Sequence, residues 1–210
     1  MEFFLKEACV ENLDQALQAE AKGADRIELC ADLELEGLFP SRKLIIEVSQ
    51  QLNIPIRIMV RPRGGNFLYT TEEIKIMIAS IEFCKAVGVE GVVFGILDSD
   101  RKLDLEMIKK LTDIANPLKV VIHKSIDDTV KPLEDLLKLT KIKGITSVLT
   151  SGGAQTAFGG KETLKEMLQL CQGGIEIVPA GKITNNNLHI IHEYLGAKAY
   201  HGKLIVGDLS

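Results

Sequence analysis

The sequence predicts an α/β fold, a TIM-type (β/α)8 barrel, and three observations carry that expectation. Short runs of β-branched and aliphatic residues recur roughly every 25 residues along the chain. Between them lie segments with helical periodicity, opened by Asn, Ser or Thr and closed by Gly. The first strand leads into Glu7-Ala8-Cys9-Val10-Glu11, without the glycine fingerprint of an open doubly wound sheet, so closure into a barrel is favoured and no nucleotide cofactor is expected.

Taken in order, a mixed strand spans 3–9, and Asn12 caps a helix over 13–22 that Gly23 closes. A second strand covers 25–30, an irregular loop passes Gly37 and Pro40, and Ser41 caps a helix to residue 52. The third strand, 54–60, has the composition of a strand buried on both faces. It runs into two arginines, two glycines and two aromatics between Arg61 and Tyr69, where Pro62 ends the ladder and Gly64-Gly65 turns the backbone. Thr70 or Thr71 caps the next helix, with Glu72 and Glu73 in the first turn, where they suit the helix dipole; it ends near Val87, before Gly88. Strand four covers 89–97, a helix 104–115 and strand five 118–123, and Pro132 sits in the first turn of another helix. Strand six spans 145–150, Gly159-Gly160 precedes a helix to Cys171, strand seven spans 175–179, a helix 187–195 and strand eight 197–201. Only nine residues follow His201, fewer than the roughly 10 to 12 of an outer helix, so the last helix is expected to be missing or replaced by a short tail. The apolar flank this leaves predicts a homo-oligomer, a dimer first.

At 210 residues with 46% hydrophobic side chains, one domain over 1–210 is expected. A net charge of −4 without a basic stripe speaks against nucleic acid as a partner. Charged residues break the N-terminal apolar stretch, and no run approaches the roughly 18 residues of a membrane span, so a cytoplasmic protein without membrane contact is expected. Cys9, Cys30, Cys84 and Cys171 are too few and too scattered for a disulfide framework and are expected as reduced thiols.

In such a barrel the C-terminal strand ends converge on one rim. They carry Glu7 and Cys9, Glu28 and Cys30, Arg61 and Arg63, His123 with Asp127, the Thr150-Ser151-Gly152-Gly153 turn, Gly181-Lys182, and His201. Three chemistries compete there. The Thr150 to Gly153 turn, with Gly181, offers backbone N–H groups to a small anion, with Arg61, Arg63 and Lys182 supplying charge; a tight βα turn that needs its glycines reads the same way. Cys9 and Cys30 on adjacent strand ends, with His123 and His201, suit Cu(I) or Zn(II); buried cysteines are also ordinary core residues. Glu7, Glu28, His123 and Asp127 are candidate acids and bases around a ligand clamped by the arginines. Salt bridges from Arg26 or Arg57 to Glu28 would produce the same composition without catalysis.

Met59-Val60-Arg61-Pro62-Arg63-Gly64-Gly65-Asn66-Phe67-Leu68-Tyr69 resembles the signature of the CutC family, the copper homeostasis proteins. Glu7-Ala8-Cys9, Gly23 through Cys30, Gly37 through Ser41, Leu149 through Gly153 and His201 follow in the family's order. The resemblance implies a TIM-type barrel, a cytoplasmic location, self-association and an association with copper tolerance and Cu(I) binding. Departures from the family pattern are Lys124 for an arginine after His123, Asn66 for an aspartate, Glu36 for a glycine, and Ala180-Gly181-Lys182-Ile183 for a glycine-rich turn. A guanidinium fork thereby becomes a point charge and backbone donors are lost, which predicts an altered anion site.

Overall fold

The computed structural model describes residues 4–210, so residue 3, the expected start of the first strand, lies outside them. Eight strands follow in order: β1 (Leu5–Val10), β2 (Arg26–Leu29), β3 (Ile56–Met59), β4 (Gly91–Phe94), β5 (Lys119–Ile122), β6 (Ile145–Thr150), β7 (Glu176–Pro179) and β8 (Ala199–Gly202). Seven helices alternate with them: α1 (Leu13–Ala21), α2 (Arg42–Gln51), α3 (Thr71–Val87), α4 (Leu105–Ala115), α5 (Pro132–Leu139), α6 (Lys161–Leu170) and α7 (Leu188–Leu195). Every ladder is parallel, in the order β7-β6-β5-β4-β3-β2-β1-β8. β7 and β8 lie side by side, and among the described residues no ladder joins them, so the barrel is nearly closed.

The caps form where the side-chain chemistry places them. Asn12 accepts from the Gln15 amide at 2.9 Å, Ser41 from Leu44 at 3.2 Å, and Thr70 and Glu73 make a reciprocal capping box. β3 and β4 are shorter than their apolar runs because their ends are drawn into rim loops. Val60 still donates to the Val93 carbonyl, whereas Leu97 bonds Phe67 O in the loop after β3.

Alternation along each strand separates two apolar layers. Ile58, Val92, Val120 and Val148 point outward into a core completed by Ile45, Val48, Met77, Ile81, Ile108 and Leu111 from the helices. Met59, Val93, Val121, Leu149 and Val178 point inward and fill the barrel beside Cys9 and Cys30. Beyond β8 the chain folds back onto α7. Ile205, Val206 and Leu209 are buried in the same core as Leu188 and Ile191 of α7, and Leu204 bridges to Thr184. No helix among the described residues is long and apolar enough to cross a membrane.

Candidate functional site

The floor of the barrel is ionic. Register places Glu7 opposite Arg26 on one side and His201 on the other. The Glu7 carboxylate accepts from Arg26 Nε, from Arg57 Nη1 at 3.1 Å and pairs with His201 Nδ1 at 2.9 Å. Arg57 also reaches Glu90 at 2.9 Å, and Arg26 lies 3.7 Å from Glu176. Burial alone would raise the pKa of Glu7, but the His201 bond and the two guanidinium charges outweigh it and hold the carboxyl well below the usual range. Arg26 and Arg57 therefore pair with Glu7, not with Glu28 as the sequence suggested. Glu7 lies beneath the rim cavity as a structural anion.

Above the floor sits a sulfur and carboxylate cluster. Cys9 Sγ and Cys30 Sγ are 3.8 Å apart, and Glu28 Oε2 lies 3.6 Å from the first and 3.4 Å from the second. His201 Nε2 is 3.8 Å from the same oxygen. The Cys30 thiol hydrogen-bonded to the Cys9 sulfur, with the His201 charge nearby, pulls the Cys9 thiol down to about 5 against the burial that opposes it, while Cys30 itself is pushed up. Burial lifts the Glu28 carboxyl to about 8. Burial also disfavours charge on His201, but the Glu28 and Glu7 carboxylates and the Cys9 sulfur prevail and keep its pKa well above the ordinary value. The cluster thus sets a lowered thiol on Cys9 against a raised thiol on Cys30 and a raised carboxyl on Glu28. Its ligand atoms form two groups close enough for one ion, Cys9–Glu28–Cys30 and Glu7–Glu28–His201, and His123 belongs to neither.

A cavity of about 680 Å³ opens over this cluster; Cys9 and His201 reach it on one side, His123 and Lys182 elsewhere on its wall. His123 directly follows β5, and Gly95, directly after β4, makes room for it. A Cβ at Gly95 would stand 2.8 Å from the imidazole and 2.0 Å from Ser125 Oγ. Arg61, 2% exposed, donates to Leu35 O and Gly65 O at 2.8 Å each and lies 4.8 Å over the Phe67 ring.

The Thr150 to Gly153 turn is already occupied from within the chain. Asp127 accepts from Ser151 N at 2.8 Å, Ser151 Oγ at 2.8 Å, Gly153 N at 2.9 Å and Thr150 Oγ1. Gly152 turns its amide onto Thr150 Oγ1 at 2.9 Å, with φ +70° at Gly152 and +74° at Gly153. The Ser151 and Gly153 amides are spent on Asp127, so the anion of this cradle is the protein's own carboxylate. Gly181, at φ +101°, accepts from Ala157 N and packs closely on Ser151. Arg63 does not line the cavity: it ties the loop after β3 together through Glu73 at 2.6 Å and the carbonyls of Gly64, Asn66 and Leu68. Lys182 is exposed on the cavity wall. His189 lies exposed on α7, whereas His192 bonds Tyr200 Oη at 3.0 Å and stacks on Phe4 instead of facing solvent.

Residues 4–206 match the model of the CutC family. The chain belongs to the CutC family. It is 41% identical over 201 residues to the copper homeostasis protein cutC homolog of Homo sapiens, a match covering 94% of this chain and 72% of the relative. Identity to the family protein CutC of Histophilus somni is 37%, over 97% of this chain and 86% of that one. A CutC crystal structure from Streptococcus agalactiae is similar with a TM-score of 0.92 and 30% identity, covering 97% of this chain and 100% of the other. An aldolase covered to 92%, against 99% of this chain, has a TM-score of 0.71 at 11% identity and shares the barrel alone.

In this CutC chain the sequence alone missed Met59 and Phe67 as wall residues. Met59 packs with both cysteines, and Gly37 approaches Cys30 Sγ and Met59 Cε together. The signal was present: residues 57, 59 and 61 share the inward face of one strand.

Proposed function

We propose that this chain serves copper homeostasis by binding Cu(I) between Cys9 and Cys30 at the floor of the rim cavity. The observation that carries the reading is the pair of sulfurs 3.8 Å apart, one of them on the cavity wall. Sulfurs bonded at about 2.3 Å to one tetrahedral ion stand roughly 3.8 Å apart, so both can bind without strand movement. Soft thiolates select a soft monovalent ion, and Met59 adds a thioether to the same apolar layer. The Cys9 thiol is lowered and the Cys30 thiol raised, so uptake displaces the proton of Cys30, whose sulfur touches Glu28 Oε2. Glu7 fixes the His201 ring through Nδ1 and so orients its Nε2 toward the cluster. A reducing cytoplasm keeps the two thiols available.

Anaerobic titration of the reduced protein with Cu(I) against bicinchoninate tests the reading. One tight equivalent is expected, lost in both Cys9→Ser and Cys30→Ser. Affinity unchanged in either variant overturns it.

A further inference from the structure

Besides Glu28 Oε1, two buried polar groups on the wall of the same cavity have no task in copper binding. His123 Nδ1 accepts from the Ser125 amide at 3.1 Å, so the ring hydrogen resides on Nε2, and Nε2 has no partner among the described residues. Burial and the Arg61 charge keep this imidazole neutral, its pKa lowered to about 3. Arg61 is the second group. Arg26 and Arg57 share buried carboxylates, whereas Arg61, among the described residues, meets backbone carbonyls, the neighbouring Tyr69 hydroxyl and, at 3.8 Å, the 80% exposed Glu36. Its Nε–H is buried and unpartnered. Buried charges and donors are normally satisfied, and leaving them open costs free energy that a ligand can recover. Phe67 joins the two, with Arg61 4.8 Å above its ring and His123 4.7 Å from its centroid.

We propose that the rim cavity binds a small organic carboxylate, its oxygens taken by the Nε–H of Arg61 and the Nε2–H of His123. Two open donors match the two oxygens of a carboxylate. A phosphate asks for more, and the loop amides that would serve it are held by Asp127. Asp127 and Asp128 on the same wall are offset by Lys124, Lys182 and Lys203, so the choice of a carboxylate rests on the number of open donors. Met59, Leu149 and Phe67 offer an apolar surface to the ligand's body. Neither donor belongs to the sulfur cluster, so the site stands or falls apart from the copper reading.

Benzoate, benzamide and inorganic phosphate, titrated calorimetrically into the full copper-free chain, test the assignment. Saturable one-to-one benzoate binding is expected, with benzamide and phosphate each about ten-fold weaker or more, the scale of one charge-assisted hydrogen bond. His123→Asn keeps an acceptor for the Ser125 amide but lacks the outer N–H, and it should weaken benzoate about ten-fold with the thermal midpoint retained. His123→Gln, which carries an N–H to the outer position, should restore most of that loss, and Cu(I) affinity should be unchanged in both. Absence of saturable benzoate binding to the wild type, equal binding of benzamide, tighter binding of phosphate, or a His123→Asn protein that binds benzoate normally would each overturn the proposal.

Discussion

Cys9 and Cys30 stand on adjacent strands with their sulfurs 3.8 Å apart, yet their environments drive the two thiols in opposite directions. Cys9 is lowered to about 5, whereas burial raises the Cys84 thiol to about 12. Because only the thiolate is a nucleophile, iodoacetamide should label Cys9 at a rate nearly flat between pH 6 and 8, while Cys84 stays unlabelled in the folded protein. One equivalent of Cu(I) should suppress the Cys9 label. Peptide mass spectrometry across that pH range reads both effects, and a Cys9 rate rising about ten-fold per pH unit would contradict the assignment.

Glu7 neutralises two buried guanidinium groups at once. Glu7→Gln keeps the shape and removes the charge, which should cost about 3–5 kcal/mol, the usual penalty for breaking a buried pair from one side. The same carboxyl is held below its unfolded value, so its contribution is complete above pH ~4.5 and drains away as pH falls further. Urea unfolding at pH 7 and pH 4 should therefore show a large difference between wild type and variant at pH 7 and a smaller one at pH 4.

Much of this arrangement was legible in the chain. Glycine and cap positions marked the helices, and period-two alternation put Glu7 with Cys9 and Glu28 with Cys30 on inward faces. Partner choice was not legible, because it depends on strand register. Glu28 stands opposite Arg57 in the β2–β3 pairing, yet Arg57 turns toward Glu7, one layer lower. Loop closure hid the rest: nothing in the sequence says that Asp127 reaches into the turn after β6, or that Arg63 spends its donors on its own loop.

Asp127 plays the part of a bound anion toward Thr150, Ser151 and Gly153. Asp127→Ala should open the amides, cost about 3 kcal/mol of stability, and create a site that an added oxyanion can fill. Sulfate should accordingly raise the thermal midpoint of Asp127→Ala more than that of the wild type. Equal shifts would mean that the turn collapses without its carboxylate.

His123 makes a prediction of the opposite kind from an ordinary paired histidine. Its folded pKa, about 3, lies below the roughly 6.5 of an unfolded histidine, so between those values the unfolded chain binds the extra proton. Stability from this residue is therefore fully present above pH ~6.5 and falls by about 1.4 kcal/mol per unit as the pH drops toward 3. Between pH 7 and 5 the loss amounts to about 2 kcal/mol. His123→Asn cannot take up that proton, and its stability should decline by about 2 kcal/mol less than the wild type's over the same interval. Urea unfolding at the two pH values measures it directly. Parallel declines would show that the imidazole takes up its proton over the same pH range in the folded protein as in the unfolded chain, at the expense of the Ser125 amide bond to Nδ1.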